Sequence, residues 1–192
     1  MAKFTEPLAA ETGRRVAPAL ARLRNADDPG SDLMPVLDIA IGMTGADMGT
    51  LQRFDEKNDC IELAASPGFS QQSLSFFGTV RRDTNTSCAA ALTRRMRVFV
   101  EDIPTSYPFV GTRELAMLSA GGVAAVQSTP LISSNSRLWG VLSTHFRATQ
   151  KESAFDPAPL DRLAVQIADR LVQSEISAPH RTMLEDRIGR LT

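Results

Sequence analysis

Long apolar runs are missing from this chain of 192 residues: no stretch approaches the ~20 consecutive apolar residues that a membrane-spanning helix needs. The first residues, MAKFTEPLAAETGRR, also lack the apolar centre of a secretory signal. No charge of one sign prevails, with 21 basic and 22 acidic residues spread along the chain. A polyphosphate therefore meets no basic track, which argues against nucleic-acid binding. Cysteine is scarce: Cys60 and Cys88 make no disulfide framework, so a reduced, cytoplasmic setting is the default. With two histidines and no short Cys/His spacing, no metal site is expected. A glycine-rich phosphate loop is absent too, since Gly121-Gly122 has neither the spacing nor the following Lys-Ser/Thr.

What is present is 43% hydrophobic residues, enough for one domain with a sizeable core. The strongest local pattern is Val123–Phe146 (VAAVQSTPLISSNSRLWGVLSTHF), two apolar stretches around the polar tetrad Ser133–Ser136. That pattern predicts a β-hairpin with a four-residue loop. With Ile132 opposite Arg137, one face carries Trp139, Val141, Ser143 and His145 against Pro130, Ser128, Val126 and Ala124. The other carries Leu138, Leu142, Thr144 and Phe146 beside Leu131, Thr129, Gln127 and Val123. Neither face is charged, so both need cover, and the hairpin is expected at the centre of a sheet. Ser128, Ser143 and His145 sharing one face point to a cavity on that side.

Around this centre the pattern predicts a helix over Glu6–Asp27, with Gly13 and Pro18 as possible breaks, and a second helix capped by Ser31 or Asp32 and running to Thr44. Pro35 would sit in its first turn. Strands are expected at Ala46–Phe54, Cys60–Ala65 and Arg97–Glu101. Helices are expected within Phe69–Arg82, over Cys88–Arg95 behind a Thr86-Ser87 cap, and over Thr112–Ala120 ended by Gly121-Gly122. Asp102–Gly111 reads as a loop marked by proline and aromatics. After Asp156-Pro157 a helix should run to Ile176; Ser177-Ala178-Pro179 should interrupt it, and a short charged helix His180–Leu191 should follow. The domain reading is an N-terminal helix over 1–30, the main domain over 31–175 and a helical extension over 176–192.

Five strings in this order resemble the GAF domain family: Gly45–Leu51, Ser87–Leu92, Val98–Ile103, Gly122–Leu131 and Trp139–Phe146. The resemblance implies an α+β fold with an antiparallel sheet of five or six strands. It places the N- and C-terminal helices on one face and a pocket roofed by helices and loops on the other. It further implies a non-catalytic sensory protein of signal transduction, binding a small molecule and signalling through a partner such as a kinase, or through its own dimer. The ligand-binding candidates are Phe76, Phe77, Cys88, Asp102, Tyr107, Ser128, Ser143 and His145. Phe76, Phe77, Cys88 and Tyr107 would form the roof, while Asp102 either caps its loop or lines the pocket.

The chemistry such a fold can host bears on Cys88, which opens a helix where the dipole favours thiolate. Its position resembles a redox cysteine of the free methionine-(R)-sulfoxide reductases. Their nucleophilic cysteine would fall in Pro108–Leu118, where none occurs, and a lone thiol has no partner to resolve it. A Cys88-based redox sensor or reductase is thus the alternative, and a ligand-free interaction module is the other. A covalently attached bilin is disfavoured, because the same loop offers Thr105, Ser106, Tyr107 and Phe109 in place of cysteine. Phe54-Asp55-Glu56 echoes part of a cyclic-nucleotide pattern but stands in a turn. His180 lacks the acidic neighbour of a kinase phosphoacceptor. A homodimer through the terminal helices is expected, because Leu8, Leu23, Val172, Ile176, Leu184 and Leu191 would be left over once the sheet is covered.

Overall fold

The computed structural model describes residues 15–23, 29–107 and 109–189, except for the side chains of 29–32 and 177–189. Helix α1 covers residues 15–22. The chain continues as α2 (Pro29–Thr44), β1 (Met48–Asp55), β2 (Cys60–Ala65), α3 (Gln71–Phe77), β3 (Thr79–Arg81) and α4 (Ser87–Arg94). Then come β4 (Val98–Val100), a 3-10 turn (Ile103–Thr105), α5 (Arg113–Ala120), β5 (Ala125–Ile132), β6 (Leu138–Phe146) and α6 (Ala158–Gly189). Six strands form one antiparallel sheet in the order β3-β2-β1-β6-β5-β4, so the hairpin lies inside it, β6 next to β1.

The two faces are covered differently. Helices α1, α2 and α6 bury one face through Leu20, Leu23, Leu33, Val36, Leu37, Leu163, Ile167 and Leu171, packed on Leu51, Leu131 and Leu142. On the other face the cover is α3, α4, α5 and the loop after β4. It forms two smaller clusters, one around Met48, Ile103, Phe109 and Val126 and one around Ile61, Leu92 and Val141. The α+β architecture expected from the hairpin and the resemblance is the one observed.

Turn chemistry fixes the hairpins. Asp55 Oδ1 accepts from the Lys57 and Asn58 amides at 2.9 and 3.1 Å, and Asp59 adopts φ +51°. At the β5–β6 loop Ser133 Oγ accepts the Arg137 amide at 3.1 Å, while Ser136 takes φ +65°. This loop holds five residues rather than four, and the register shifts between Leu131 and Ile132. Ser128 therefore pairs with Ser143 and Val126 with His145, two residues away from the expected alignment. A two-residue offset preserves the faces, because side chains alternate with period two. Only near the irregularity do they change: Trp139 joins the helix-packed core, whereas Leu138 turns to the other side. Val123, just before β5, also packs on the cavity side rather than under the helices.

Other expectations need correction. Pro18 lies within α1 without ending it, and α2 begins at Pro29, which puts Pro35 inside the helix rather than in its first turn. The segment expected to be helical to Arg82 stops at Phe77; Gly78 ends it, and β-branched Thr79 and Val80 pair with Glu62 and Ile61 as β3. Helix α6 is continuous to Gly189, with no interruption at Ser177-Ala178-Pro179. Leu23 and Val172, expected on the outer edge, are 1% and 3% exposed in the core, while Ile176 is 48% exposed. Leu8 and the side chains of Leu184 and Leu191 lie outside the described residues. Among the described residues no helix is long and apolar enough to cross a membrane.

Candidate functional site: a cavity between the sheet and its helical roof

Strand alternation builds the floor of the site. On β1, Thr50 and Gln52 stand on the face opposite Leu51, beside β6, where Thr50 pairs with Ser143 and Gln52 with Val141. Together with Ser143, His145 and Val126 they line a cavity. The walls are Phe69, Ser73, Leu74 and Phe77 around α3, Thr86, Ser87 and Cys88 at the start of α4, and Phe109 and Leu118. About 40 Å³ in it accepts the centre of a water molecule.

Three of the polar groups are tied together. Ser128 Oγ donates to Ser87 Oγ at 2.9 Å and lies 2.7 Å from Ser143 Oγ, so α4 is fastened to both hairpin strands by a hydroxyl chain. Thr86 caps α4 by accepting the Ala89 amide at 3.2 Å. Its hydroxyl is also 3.2 Å from Cys88 Sγ. Burial pushes the Cys88 thiol above its ordinary range, and hydrogen bonds from Thr86, nearby amides and Gln52 offset this only in part. The thiolate expected from the helix dipole is therefore not favoured here.

His145 differs from these. It is 7% exposed, and its Nδ1 has no hydrogen-bond partner among the described residues. The Phe69 ring meets the imidazole edge to face, with centroids 4.9 Å apart. Burial lowers its pKa to about 3, so the ring is neutral throughout the physiological range.

Of the eight residues expected at the site, Phe77, Cys88, Ser143 and His145 line the cavity, and Ser128 lies directly beneath, fully buried, as the link between Ser143 and Ser87. Three stand elsewhere. Phe76 stacks edge to face on Phe77 and carries the Arg113 guanidinium over its ring. Tyr107 does not roof the cavity: it is 94% exposed, and Phe109, two residues on, fills that place at 2%. Asp102 occupies the cap position of the 3-10 turn without a side-chain capping bond, and does not line the cavity. Phe109 was foreseen only beside Tyr107 as a lid aromatic; Phe69, Thr50 and Gln52 were missed. The last two carried a signal, since polar residues at alternate positions flank apolar Leu51 in GTLQRF.

One further grouping was not foreseen. Asp55, Cys60 and Glu62 bring three potential metal-ligand atoms within 4.8 Å of one another across the β1–β2 hairpin. Both Asp55 oxygens already accept hydrogen bonds from the turn, Oδ2 from Asn58 Nδ2 at 2.6 Å. Its role is that of a turn residue.

The six-stranded antiparallel sheet, covered by helices on one face and roofed over a cavity on the other, defines an α+β fold. Residues 35–171 match the family model described as GAF domain, and the chain belongs to that family. No curated protein sequence matches it. Among solved structures it is similar to the GAF domain of a phosphoenolpyruvate-protein phosphotransferase from Coxiella burnetii, with TM-score 0.67, 15% identity and coverage of 89% of this chain and 98% of that one. It is also similar to a free methionine-R-sulfoxide reductase from Neisseria meningitidis, with TM-score 0.66, 16% identity and coverage of 88% and 93%. The phycoerythrobilin-bound GAF domain of a cyanobacterial phytochrome gives TM-score 0.63, 18% identity and coverage of 87% and 97%. At these identities the likeness is one of fold.

Proposed function

We propose that this protein is a non-catalytic sensor that binds a small molecule in the cavity and passes its occupancy to a signalling partner or to a second copy of itself. The observation that carries this reading is the buried His145 Nδ1 on the cavity wall. An unmatched buried polar atom costs on the order of 1–3 kcal/mol, which a ligand hydrogen bond would recover. The thiol-based alternative rests on Cys88 alone, whose raised pKa makes it a poor nucleophile at neutral pH. For the output, α6 is suited by its length: 32 residues extend roughly 48 Å, further than the sheet it covers. Val165 and Ile176, both exposed, lie eleven residues apart, about three turns, and so share an outer stripe on which a second copy or a kinase could dock.

Native mass spectrometry of the intact chain tests the ligand. A retained mass that disappears in His145→Phe supports the reading, whereas a bare chain that also takes up no compound from a broad metabolite mixture refutes it. Light scattering tests the output: a species twice the 20.8 kDa chain mass is expected, and a monomer at all concentrations removes the dimer.

A further inference from the structure

None of the described residues that line the cavity is Asp, Glu, Lys or Arg. Its polar content is hydroxyls, one thiol, one amide and an imidazole that burial keeps neutral. A charged ligand entering there would lose hydration and meet no counter-ion, a loss that hydroxyls alone do not make good. The N-terminus of α4 does not change this. A helix end supplies about half a charge, and the Ala89 amide is already taken by Thr86.

The hydroxyl chain has a direction. Ser128 spends its only proton on Ser87, so the 2.7 Å bond to Ser143 must be donated by Ser143. Ser143 then offers the cavity lone pairs only, while Ser87 keeps its proton to donate. On the β6 floor beside Ser143, His145 Nδ1 adds a polar atom with no hydrogen-bond partner among the described residues. Beside the uncharged Thr50, Gln52, Ser73, Thr86 and Cys88, the lining is apolar, chiefly the rings of Phe69, Phe77 and Phe109.

Deepening the small-molecule reading on which it rests, we propose that the ligand is uncharged and largely apolar. One polar end, carrying both a hydrogen-bond donor and an acceptor, engages Ser143, Ser87 and His145. A primary amide is the simplest group of this kind.

Three probes of nearly one shape separate the possibilities: neutral benzamide, anionic benzoate and cationic benzamidinium, titrated by NMR into the full chain at pH 7. Benzamide is expected to bind at least about tenfold more tightly than either ion, a difference set by the uncompensated charge. It should move the His145 ring nitrogen resonances and lose most of its affinity in His145→Phe. Ser143→Ala, a smaller change at the same wall, gives the same test if His145→Phe does not fold. Binding of benzoate or benzamidinium as tight as that of benzamide overturns the charge class and leaves the small-molecule reading standing. No binding by any of the three, with unmoved His145 resonances and no retained ligand in the native mass spectrum, overturns both.

Discussion

Gly140 of β6 lies against the backbone of Gln52 on β1, so close that a Cβ at position 140 would collide with the Gln52 carbonyl oxygen and lie 3.1 Å from Arg53 Cα. The contact falls at the irregularity where Trp139 and Gly140 crowd opposite Leu131, and it is made of backbone, which has little room to yield. We expect Gly140→Ala to destabilise the protein by roughly 1–3 kcal/mol, in the range of overpacked cores. A urea midpoint unchanged from the parent would count against this.

The neutral His145 makes stability depend on pH. Its folded pKa, about 3, lies below the ordinary 6.5, so the unfolded chain binds more protons between those values. The stabilisation is therefore complete above pH 6.5 and is lost as pH falls towards 3, up to ~5 kcal/mol at 1.36 kcal/mol per unit. Unfolding of His145→Phe should have a shallower slope than the parent between pH 6.5 and 5, a window above most carboxylate titrations. Equal slopes, or a His145 proton resonance that titrates near 6.5, would contradict the buried neutral ring.

Cys88 should be chemically quiet. With its thiol pushed up by burial, we expect it to react with a disulfide reagent at pH 7 more slowly than an unstructured cysteine. A thioredoxin-coupled assay with free methionine sulfoxide should show no turnover. Turnover that vanishes in Cys88→Ser would replace the sensor reading with an enzymatic one.

Glu175 ties the last helix to the sheet. Its carboxylate accepts the Trp139 indole at 3.1 Å and pairs with Arg53 and Arg137 at 3.0 and 3.1 Å. The arginines are half exposed or more, so their pairs contribute little, whereas the indole bond is partly buried, with Trp139 itself in the core. Glu175→Gln, which keeps an acceptor, should cost less than about 1 kcal/mol, and Glu175→Ala about 1–2. Trp139 is the only tryptophan, so a shift in its emission in Glu175→Ala alone would register the lost bond.

The sheet faces were legible because alternation survives any even slip: Ser143 and His145 reach the cavity although the register is two residues from the expected one. The odd slip at Trp139 was not, since a bulge depends on how Gly140 meets a strand more than eighty residues earlier in the chain. Strand β3 was hidden for a similar reason: three residues following a helix carry no periodicity, and only the free edge of β2 gives them a partner. Between Tyr107 and Phe109 the sequence offered two aromatics in one loop with nothing to choose between them. The fold decides, as the Phe109 amide closes a turn onto the Ser106 carbonyl at 2.9 Å and the ring enters the core. The helix dipole at Cys88 was visible, but its desolvation was not, and desolvation is the larger effect.

The sheet that divides this molecule is a partition one residue thick. Val126 and His145 face the cavity, while their chain neighbours Gln127 and Thr144 face the terminal helices, joined by a 3.1 Å hydrogen bond. A peptide plane cannot bend between them. The backbone that carries His145 on the cavity side carries Thr144 on the side of α6. The cavity and the helix-packed layer thus have one wall in common, the backbone of β5 and β6.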